Sequence, residues 1–410
     1  MTNPLYDPFA VLQKVYGGGA YLKQALNDTP IEEAHRARTA KVCYGVLEND
    51  IYLDFCIKSF APKSPKLPVR ILLKVALYFL LFLGKARYMV TDSAVSLIRK
   101  LGKGGASGFV NAFLRNFDAE KLILPADKLS RLSVQYSFPP FAVSRLAEEY
   151  GEEAEEIMRP RPARTFVRFA GQPAQKYLDL PHEDTPFAGL YAYPNFRRDA
   201  GYDRGEYTFQ SVGSVAVCAA VESCGELLDA CAAPGGKSVL LAGKCGRVTA
   251  FELHEHRAKL IESYASRMGA ENISVVCRDS SVHDPAYDGK FDAVLADAPC
   301  SGYGVVGENP DIKLLRREAD LSSLCKTQRA ILSACAPYVR AGGCLYYSTC
   351  SVFGEENDGT VSAFLGQHPD FAAEEIASPL GHERTRFGLQ FLPHLSMGAG
   401  FYVCKMRKKA

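Results

Sequence analysis

Apolar residues follow two different periods along the chain, one in its first third and another in its second half. From residue 7 to about residue 124 they recur at three- and four-residue spacing, as at Val42 and Val46. That spacing is typical of amphipathic helices. Clusters of glycine and proline mark the breaks between them: 17–19, 62–68 and 102–108. The pattern predicts a bundle of five to seven short helices.

In the second half, short apolar runs alternate with helical patterns. Six of these runs are typical of strands: 226–230, 248–253, 273–278, 291–297, 344–348 and 401–405. Strands that alternate with helices usually pair in parallel, so this half predicts a doubly wound parallel sheet. The long interval before the last run leaves room for a hairpin.

Residues 126–206 carry a weaker pattern than the regions on either side. We therefore expect a helical domain over 1–125, a linker or RNA-binding subdomain over 126–206, and an α/β domain over 207–410. Four arginines fall within 159–168, close to Phe166 and Phe169. Such a cluster is able to grip phosphates and stack a base, and it is equally typical of a solvated linker.

Composition narrows the class of protein without identifying a partner. The chain has 410 residues, of which 47% are apolar and 23% charged, as in ordinary soluble globular proteins. Its net charge is only +2, but residues 1–125 carry 17 basic against 10 acidic side chains. That excess fits contact with RNA as well as a solvated helical surface. The apolar run 71–83 contains Lys74 and is too short to cross a bilayer, so it predicts a buried helix.

The 13 cysteines include no C-x-x-C pair. A zinc-ribbon or thioredoxin-type site is therefore not predicted, and we expect no metal. The first residues lack the pattern of a signal peptide. Many unpaired thiols without an export signal predict a reducing compartment. We expect a cytoplasmic monomer.

A glycine-rich turn follows the first strand in LLDACAAPGGKS, residues 227–238. Its small residues let the backbone pass close to a ligand, although it fits neither the G-x-G-x-x-G nor the P-loop pattern. The next three strands end in Glu252, Asp279 and Asp297. This set suits an adenosine, with Glu252 for the ribose hydroxyls and Asp279 for the adenine amino group. Each acid taken alone is also typical of a helix cap or a solvated strand end.

Two cysteines follow strand patterns in the same way. VLADAPCSG (294–302) delivers Cys300 into a turn, and GCLYYSTCS (343–351) delivers Cys350. Because ligands of open α/β folds bind at the carboxyl ends of strands, both thiols are expected to face one pocket. A thiolate is a suitable nucleophile for conjugate addition to an electron-poor ring, which indicates chemistry on a pyrimidine. A single cysteine is otherwise more often a buried, inert residue.

A family resemblance rests on these motifs. DACAAPGGKS, DAPCSGYG and YSTCSVFGEEN, in this order, resemble the signature motifs of RNA cytosine-5 methyltransferases that use S-adenosylmethionine. The segments 36–54, 69–83 and 108–117 resemble the NusB-like RNA-binding domain. Together they resemble the RsmB (Sun/Fmu) type, which methylates small-subunit ribosomal RNA. The implied fold is an all-α NusB-like bundle followed by an α/β class I, Rossmann-like methyltransferase domain.

The resemblance also implies roles for single residues. Cys350 is the implied nucleophile, and Cys300 assists its release. The implied S-adenosylmethionine contacts are Cys231, Ala232, Ala233, Pro234, Gly235, Gly236, Lys237, Glu252, Asp279 and Asp297. The sequence departs from the family pattern at 307–309 and 399–402, which leaves the RNA target open.

Reasoning from the residues adds a mechanism. We expect Asp297 to hydrogen-bond the cytosine edge and a helix opening near Glu355 to activate Cys350. Glu355 and Glu356 would oppose that activation if they pointed inward. A transfer RNA methyltransferase, a non-catalytic RNA-binding assembly factor and a small-molecule methyltransferase remain as alternatives.

Overall fold

The computed structural model describes residues 3–61 and 63–410. They form two compact units. One contains the chain up to Pro160 together with Val306–Arg316, and the other contains Arg161–Val305 and Arg317–Ala410. Pro62, in the expected break at 62–68, lies outside the described residues.

The first unit is helical, as predicted. Its helices up to Pro160 are α1 (Tyr6–Gly18), α2 (Leu22–Asn27), α3 (Glu33–Glu48), α4 (Asp50–Phe60), α5 (Leu67–Leu81), α6 (Arg87–Lys100), α7 (Ser107–Asn116), α8 (Lys128–Tyr136), α9 (Pro140–Tyr150) and α10 (Ala154–Met158). Helix α5 is the buried helix that the apolar run predicts. Lys74 on this helix is 2% exposed and pairs with Asp50 and, at 3.2 Å, with Asp54. The pairing compensates the buried charge, which would otherwise be unfavourable.

The helical unit does not end at the expected residue 125. Helix α8 packs against α4 and α9, and its neighbours α9 and α10 pack against each other. Leu132, Val143 and Leu146 on these helices are buried. Amphipathic helices need a partner for their apolar face, and the preceding bundle supplies it. The division therefore falls at Pro160, 35 residues later than the sequence pattern indicates.

The segment Val306–Arg316 returns to the helical unit from the middle of the second unit. Asp311 accepts a hydrogen bond from the backbone N–H of Leu22 at 2.8 Å. Lys313 is 8% exposed, and its ammonium donates to the carbonyl oxygens of Glu48 and Tyr136 at 2.8 and 3.2 Å. Burial lowers the pKa of Lys313 to about 8. This return was not predicted.

The second unit contains the predicted parallel sheet. Its strands are β1 (Thr165–Phe169), β2 (Glu183–Asp184), β3 (Leu190–Tyr193), β4 (Tyr207–Phe209), β5 (Glu226–Asp229), β6 (Arg247–Glu252), β7 (Ile273–Cys277), β8 (Phe291–Asp297), β9 (Val339–Thr349), β10 (Phe371–Glu374), β11 (Glu383–Arg384), β12 (Gly388–Phe391) and β13 (Phe401–Lys408). The remaining helices are α11 (Gln175–Leu178), α12 (Ala200–Asp203), α13 (Val212–Ala220), α14 (Gly236–Ala242), α15 (Glu255–Met268), α16 (Ile312–Leu315, in the returning segment), α17 (Glu318–Cys335) and α18 (Asp358–Gln367).

The large sheet has the order β11-β12-β13-β9-β8-β5-β6-β7, and β10 also pairs with β13. Strands β5 to β9 are parallel to their neighbours, whereas β13 is antiparallel to β9. Strands β10 to β12 fill the interval that the sequence left for a hairpin. The carboxyl ends of five parallel strands therefore lie along one edge of the sheet.

Residues 161–209 form a small sheet instead of a linker. Its order is β2-β3-β1-β4, and all its pairs are antiparallel. Phe166 and Phe169 are 7% and 6% exposed, and Arg168 is 9% exposed. These three residues are core residues here, so the alternative in which they stack a base and grip phosphates on the surface is wrong. Four of the five residues of β1 are buried, and the guanidinium of Arg168 donates to the side-chain oxygen of Gln210 at 2.7 Å.

No helix within the described ranges is long and apolar enough to span a membrane. Over the same residues, no group of three or more histidine, cysteine or acidic side chains is arranged to hold a metal ion.

Candidate active site

The two cysteines singled out in the sequence are in contact. Strands β8 and β9 are parallel neighbours, with Asp297 opposite Ser348, and the chain turns after each strand. The turns place the sulfur atoms of Cys300 and Cys350 3.0 Å apart. The backbone N–H of Cys350 also donates to the sulfur of Cys300 at 3.2 Å.

The two thiols differ in accessibility. Cys300 is buried, whereas Cys350 is partly exposed. Two causes raise the pKa of Cys300 well above its ordinary value: the hydrogen bond with Cys350, which is the larger, and burial. Cys300 therefore keeps its proton at neutral pH, and the accessible sulfur is that of Cys350.

A cation and a carboxylate stand beside this pair. The ammonium of Lys237 lies 2.7 Å from Asp297 Oδ2, and the Ser348 hydroxyl donates to Asp297 Oδ1 at 2.7 Å. Burial alone would lower the pKa of Lys237, but the charges of Asp297, Cys218 and Cys350 outweigh it and raise that pKa. Lys237 therefore stays protonated and places a positive charge near Cys350.

The predicted glycine turn joins β5 to α14. Gly235 has φ +104°, and a Cβ atom there would lie 3.2 Å from Ile261, so a larger residue would strain both the backbone and the packing. The carbonyl of Gly236 accepts a hydrogen bond from Gln210 at 3.2 Å, and Gln210 in turn accepts one from Arg168. Sequence reasoning missed these two supporting residues, because they lie on β1 and just after β4.

The other residues of the turn differ in exposure. Ala232 and Gly235 are buried, Cys231, Ala233, Gly236 and Lys237 are partly buried, and Pro234 is exposed. Burial raises the pKa of Cys231 well above its ordinary value, so this third thiol is unsuited to act as a nucleophile.

The acids Glu252 and Asp279 have only local partners among the described residues. Glu252, 4% exposed at the end of β6, accepts from the backbone N–H of His254 at 3.1 Å and lies 3.3 Å from Arg257. Asp279 is exposed, and hydrogen bonds from Ser281 lower its pKa. Both lie at the same edge of the sheet as the cysteines.

A fourth acid, Asp229 at the end of β5, was not predicted. It is 1% exposed; Oδ2 accepts from the Ser238 hydroxyl at 2.6 Å, and Oδ1 has no partner in the described part of the chain. Burial raises its pKa to about 6. A buried carboxylate oxygen without a donor, next to a glycine turn, fits a ligand that brings its own polar hydrogen atoms. Its position at a strand end, like those of Glu252 and Asp297, was the available signal.

Comparison with known proteins identifies the family. A sequence model of the family described as 16S rRNA methyltransferase RsmB/F matches residues 217–407, and one of the NusB family matches residues 9–119. The chain is 32% identical to a probable ribosomal RNA small subunit methyltransferase B of Bacillus subtilis, over 95% of this chain and 94% of the relative. It is also 32% identical to ribosomal RNA small subunit methyltransferase B of Sodalis glossinidius, over 93% and 91%.

Solved structures show the same fold. The crystal structure of PH0851 aligns with a TM-score of 0.83 at 22% identity and covers 100% of this chain and 99% of that one. NSun6 from Pyrococcus horikoshii with SFG aligns with a TM-score of 0.56 at 18% identity, over 65% and 97%. With a full-length relative at 32% identity and both family regions present, the chain belongs to the RsmB/F family of S-adenosylmethionine-dependent RNA cytosine-5 methyltransferases.

Proposed function

We propose that this enzyme methylates C5 of a cytidine in small-subunit (16S) ribosomal RNA, through a covalent bond between Cys350 and C6 of the base. The names of the relatives and the NusB match support the RNA class. The observation that carries the mechanism is the 3.0 Å contact between a partly exposed Cys350 and a buried Cys300.

The chemistry requires a nucleophile before the methyl transfer. C5 of cytosine is a poor nucleophile while the ring is aromatic. Addition of the Cys350 thiolate to C6 makes C5 enamine-like, and Lys237 places a positive charge near the attacking sulfur. S-adenosylmethionine, when bound, supplies an electrophilic methyl group on its sulfonium sulfur. Asp297, fixed by Lys237 and Ser348, is available to hydrogen-bond the edge of the base.

Release of the product requires removal of the C5 proton and departure of Cys350. We assign the assistance in this step to Cys300. The largest cause of its raised pKa is the hydrogen bond with Cys350, and the second largest is burial. When Cys350 is bonded to C6 its sulfur is an uncharged thioether, so the negative charge of Cys350, a further cause of the raised pKa, is removed, whereas burial remains. Cys300 then gives up its own proton to water more readily, and the resulting thiolate takes the C5 proton as the bond between Cys350 and C6 breaks.

The cofactor fits the turn of residues 231–237 and the acids around it. Glu252 would bind the ribose hydroxyls and Asp279 the adenine amino group, as proposed from the sequence. Asp229 adds a buried acceptor at the start of the turn. The target base must be unstacked to reach the cysteines. We further propose that the enzyme acts as a cytoplasmic monomer and needs no metal.

The proposal is tested with wild-type, Cys300→Ser and Cys350→Ser proteins. Each is incubated with S-adenosylmethionine and either small-subunit ribosomal RNA or transfer RNA, and covalent protein–RNA adducts are detected on denaturing gels. We expect Cys300→Ser to accumulate an adduct with small-subunit RNA and Cys350→Ser to form none. An adduct that requires Cys300 would reverse the two roles, and 5-methylcytidine formed only in transfer RNA would replace the substrate. Wild-type protein that binds RNA but neither methylates it nor forms an adduct would favour an assembly factor.

A further inference from the structure

One carboxylate joins the loops that carry the two cysteines. Glu356 lies between β9 and α18 and is 0% exposed. Its Oε1 accepts from the backbone N–H of Ser301 at 2.8 Å and from the Gln328 amide at 3.0 Å. Its Oε2 accepts from the hydroxyls of Ser301 and Ser351, each at 2.5 Å.

The partners of Glu356 directly follow the catalytic candidates in the chain. Ser301 is next to Cys300, and Ser351 is next to Cys350. Their two hydroxyl oxygens also lie 3.2 Å apart. Since both serines bind the same oxygen atom of Glu356, the separation of the two loops depends on this side chain.

Glu356 is unsuited to carry a proton to or from the substrate. Its side chain has no exposure, and each carboxylate oxygen already accepts two hydrogen bonds. A buried carboxylate is tolerated only when its hydrogen-bonding capacity is used in this way. The backbone carbonyl of Glu356 is held as well, by the Tyr347 hydroxyl at 2.6 Å.

We propose that Glu356 is a positioning residue that sets the contact between Cys300 and Cys350. The inference rests on the proposed roles of these cysteines and adds to them the residue that makes their cooperation possible. It differs from the sequence-based expectation for this segment. Glu356 does point inward, but it binds the serines, and helix α18 begins only at Asp358.

The first test measures the proximity of the cysteines without using activity. Wild type, Glu356→Gln, Glu356→Ala and a control, Glu262→Ala at an exposed position on α15, are equilibrated in glutathione buffers of increasing oxidised fraction. The fraction of Cys300–Cys350 disulfide is read by peptide mass spectrometry. Each disulfide forms when the two thiols lose two protons and two electrons to oxidised glutathione, which becomes two reduced molecules.

The chain contains its own reference pair for this measurement. Cys224 and Cys245 lie in the same unit with their sulfur atoms 3.3 Å apart, and none of the hydrogen bonds of Glu356 among the described residues involves either cysteine. We expect Glu356→Ala to require about tenfold more oxidising buffer to bridge Cys300 and Cys350, with Glu356→Gln intermediate. The Cys224–Cys245 midpoint should stay within about twofold in every variant. An unchanged Cys300–Cys350 midpoint in a folded Glu356→Ala protein would falsify the inference.

The second test separates positioning from general stability. We expect Glu356→Gln, which keeps the shape of the side chain, to lower kcat at least about tenfold, because small misplacements of reacting groups slow catalysis. KM for RNA should change little. An increase in KM without a decrease in kcat, or activity equal to that of wild type, would overturn the positioning role. If Cys350→Ser proves active, the proposed chemistry fails, yet the disulfide midpoints still decide whether Glu356 sets the contact.

Discussion

Replacement of Asp229 by asparagine tests whether the site contains a carboxylate that destabilises the folded enzyme. Asp229 is 1% exposed, and burial raises its pKa from the ordinary value of 3.8 to about 6. The folded chain thus binds this proton more tightly than the unfolded chain does. As the pH rises from about 4 to about 6, ionisation of Asp229 therefore lowers the free energy of unfolding. Above that range the full destabilisation by the buried charge is present.

The magnitude follows from the shift. A difference of about two pKa units corresponds to a cost of about 3 kcal/mol at pH 7.5 and about 1.6 kcal/mol at pH 5. Asparagine does not titrate, but it leaves a buried amide N–H₂ group without an acceptor, which costs about 1–3 kcal/mol at both pH values. That cost cancels when the two pH values are compared. The free energy of unfolding of Asp229→Asn, relative to wild type, should therefore rise by about 1.4 kcal/mol from pH 5 to pH 7.5.

The assay is urea unfolding followed by circular dichroism at both pH values. Asp92→Asn, at an exposed position in the helical unit, serves as the control for the loss of a carboxylate. A difference between Asp229→Asn and wild type that is the same at both pH values, or that falls as the pH rises, would refute the assignment of a destabilising buried charge. We also expect weaker binding of S-adenosylmethionine to the variant by calorimetry, because the unpartnered oxygen is lost.

Two further substitutions test the buried or partly buried ammonium groups of Lys237 and Lys313. Lys237→Met removes the cation beside Asp297 and Cys350, so adduct formation in a Cys300→Ser background should slow about 100-fold. Lys259→Met on α15 is the exposed control, and equal adduct rates would contradict the role of Lys237. For Lys313, burial lowers the pKa from 10.5 to about 8, so the folded state holds the proton less tightly and stability rises with pH across that range. Relative to Lys313→Met, wild type should gain about 2 kcal/mol between pH 7.5 and pH 9.5 in urea unfolding; a constant difference would show that the ammonium is not destabilised.

The sequence predicted the parts of the fold that obey local patterns. The six expected strands of the α/β half correspond to β5, β6, β7, β8, β9 and β13, because each is a short apolar run between helical patterns. The contact of Cys300 with Cys350 was predictable for a related reason. Both follow strands, and parallel neighbours end at the same edge of a sheet.

Features that depend on long-range packing were not predictable in this way. The segment around Asp311 and Lys313 has no strong pattern, and its contacts with Leu22 and Glu48 join residues 289 and 265 positions apart. Arg168 shows the same difficulty. An arginine in a basic cluster suggests an exposed side chain, but Arg168 is buried and donates to the side chain of Gln210.

The division of labour between the two cysteines is also a property of the folded chain. Cys300 and Cys350 occupy equivalent places in their motifs, each after a strand and each followed by a serine. The family resemblance already implies that Cys350 is the nucleophile, and the structure adds a physical difference: Cys300 is buried with a raised pKa, whereas Cys350 is partly exposed and lies near Lys237. Accessibility and electrostatics then favour one nucleophile. If Cys350 bonds to C6 as proposed, its negative charge no longer raises the pKa of Cys300, so we expect the first chemical step to make loss of the Cys300 proton easier before the last one.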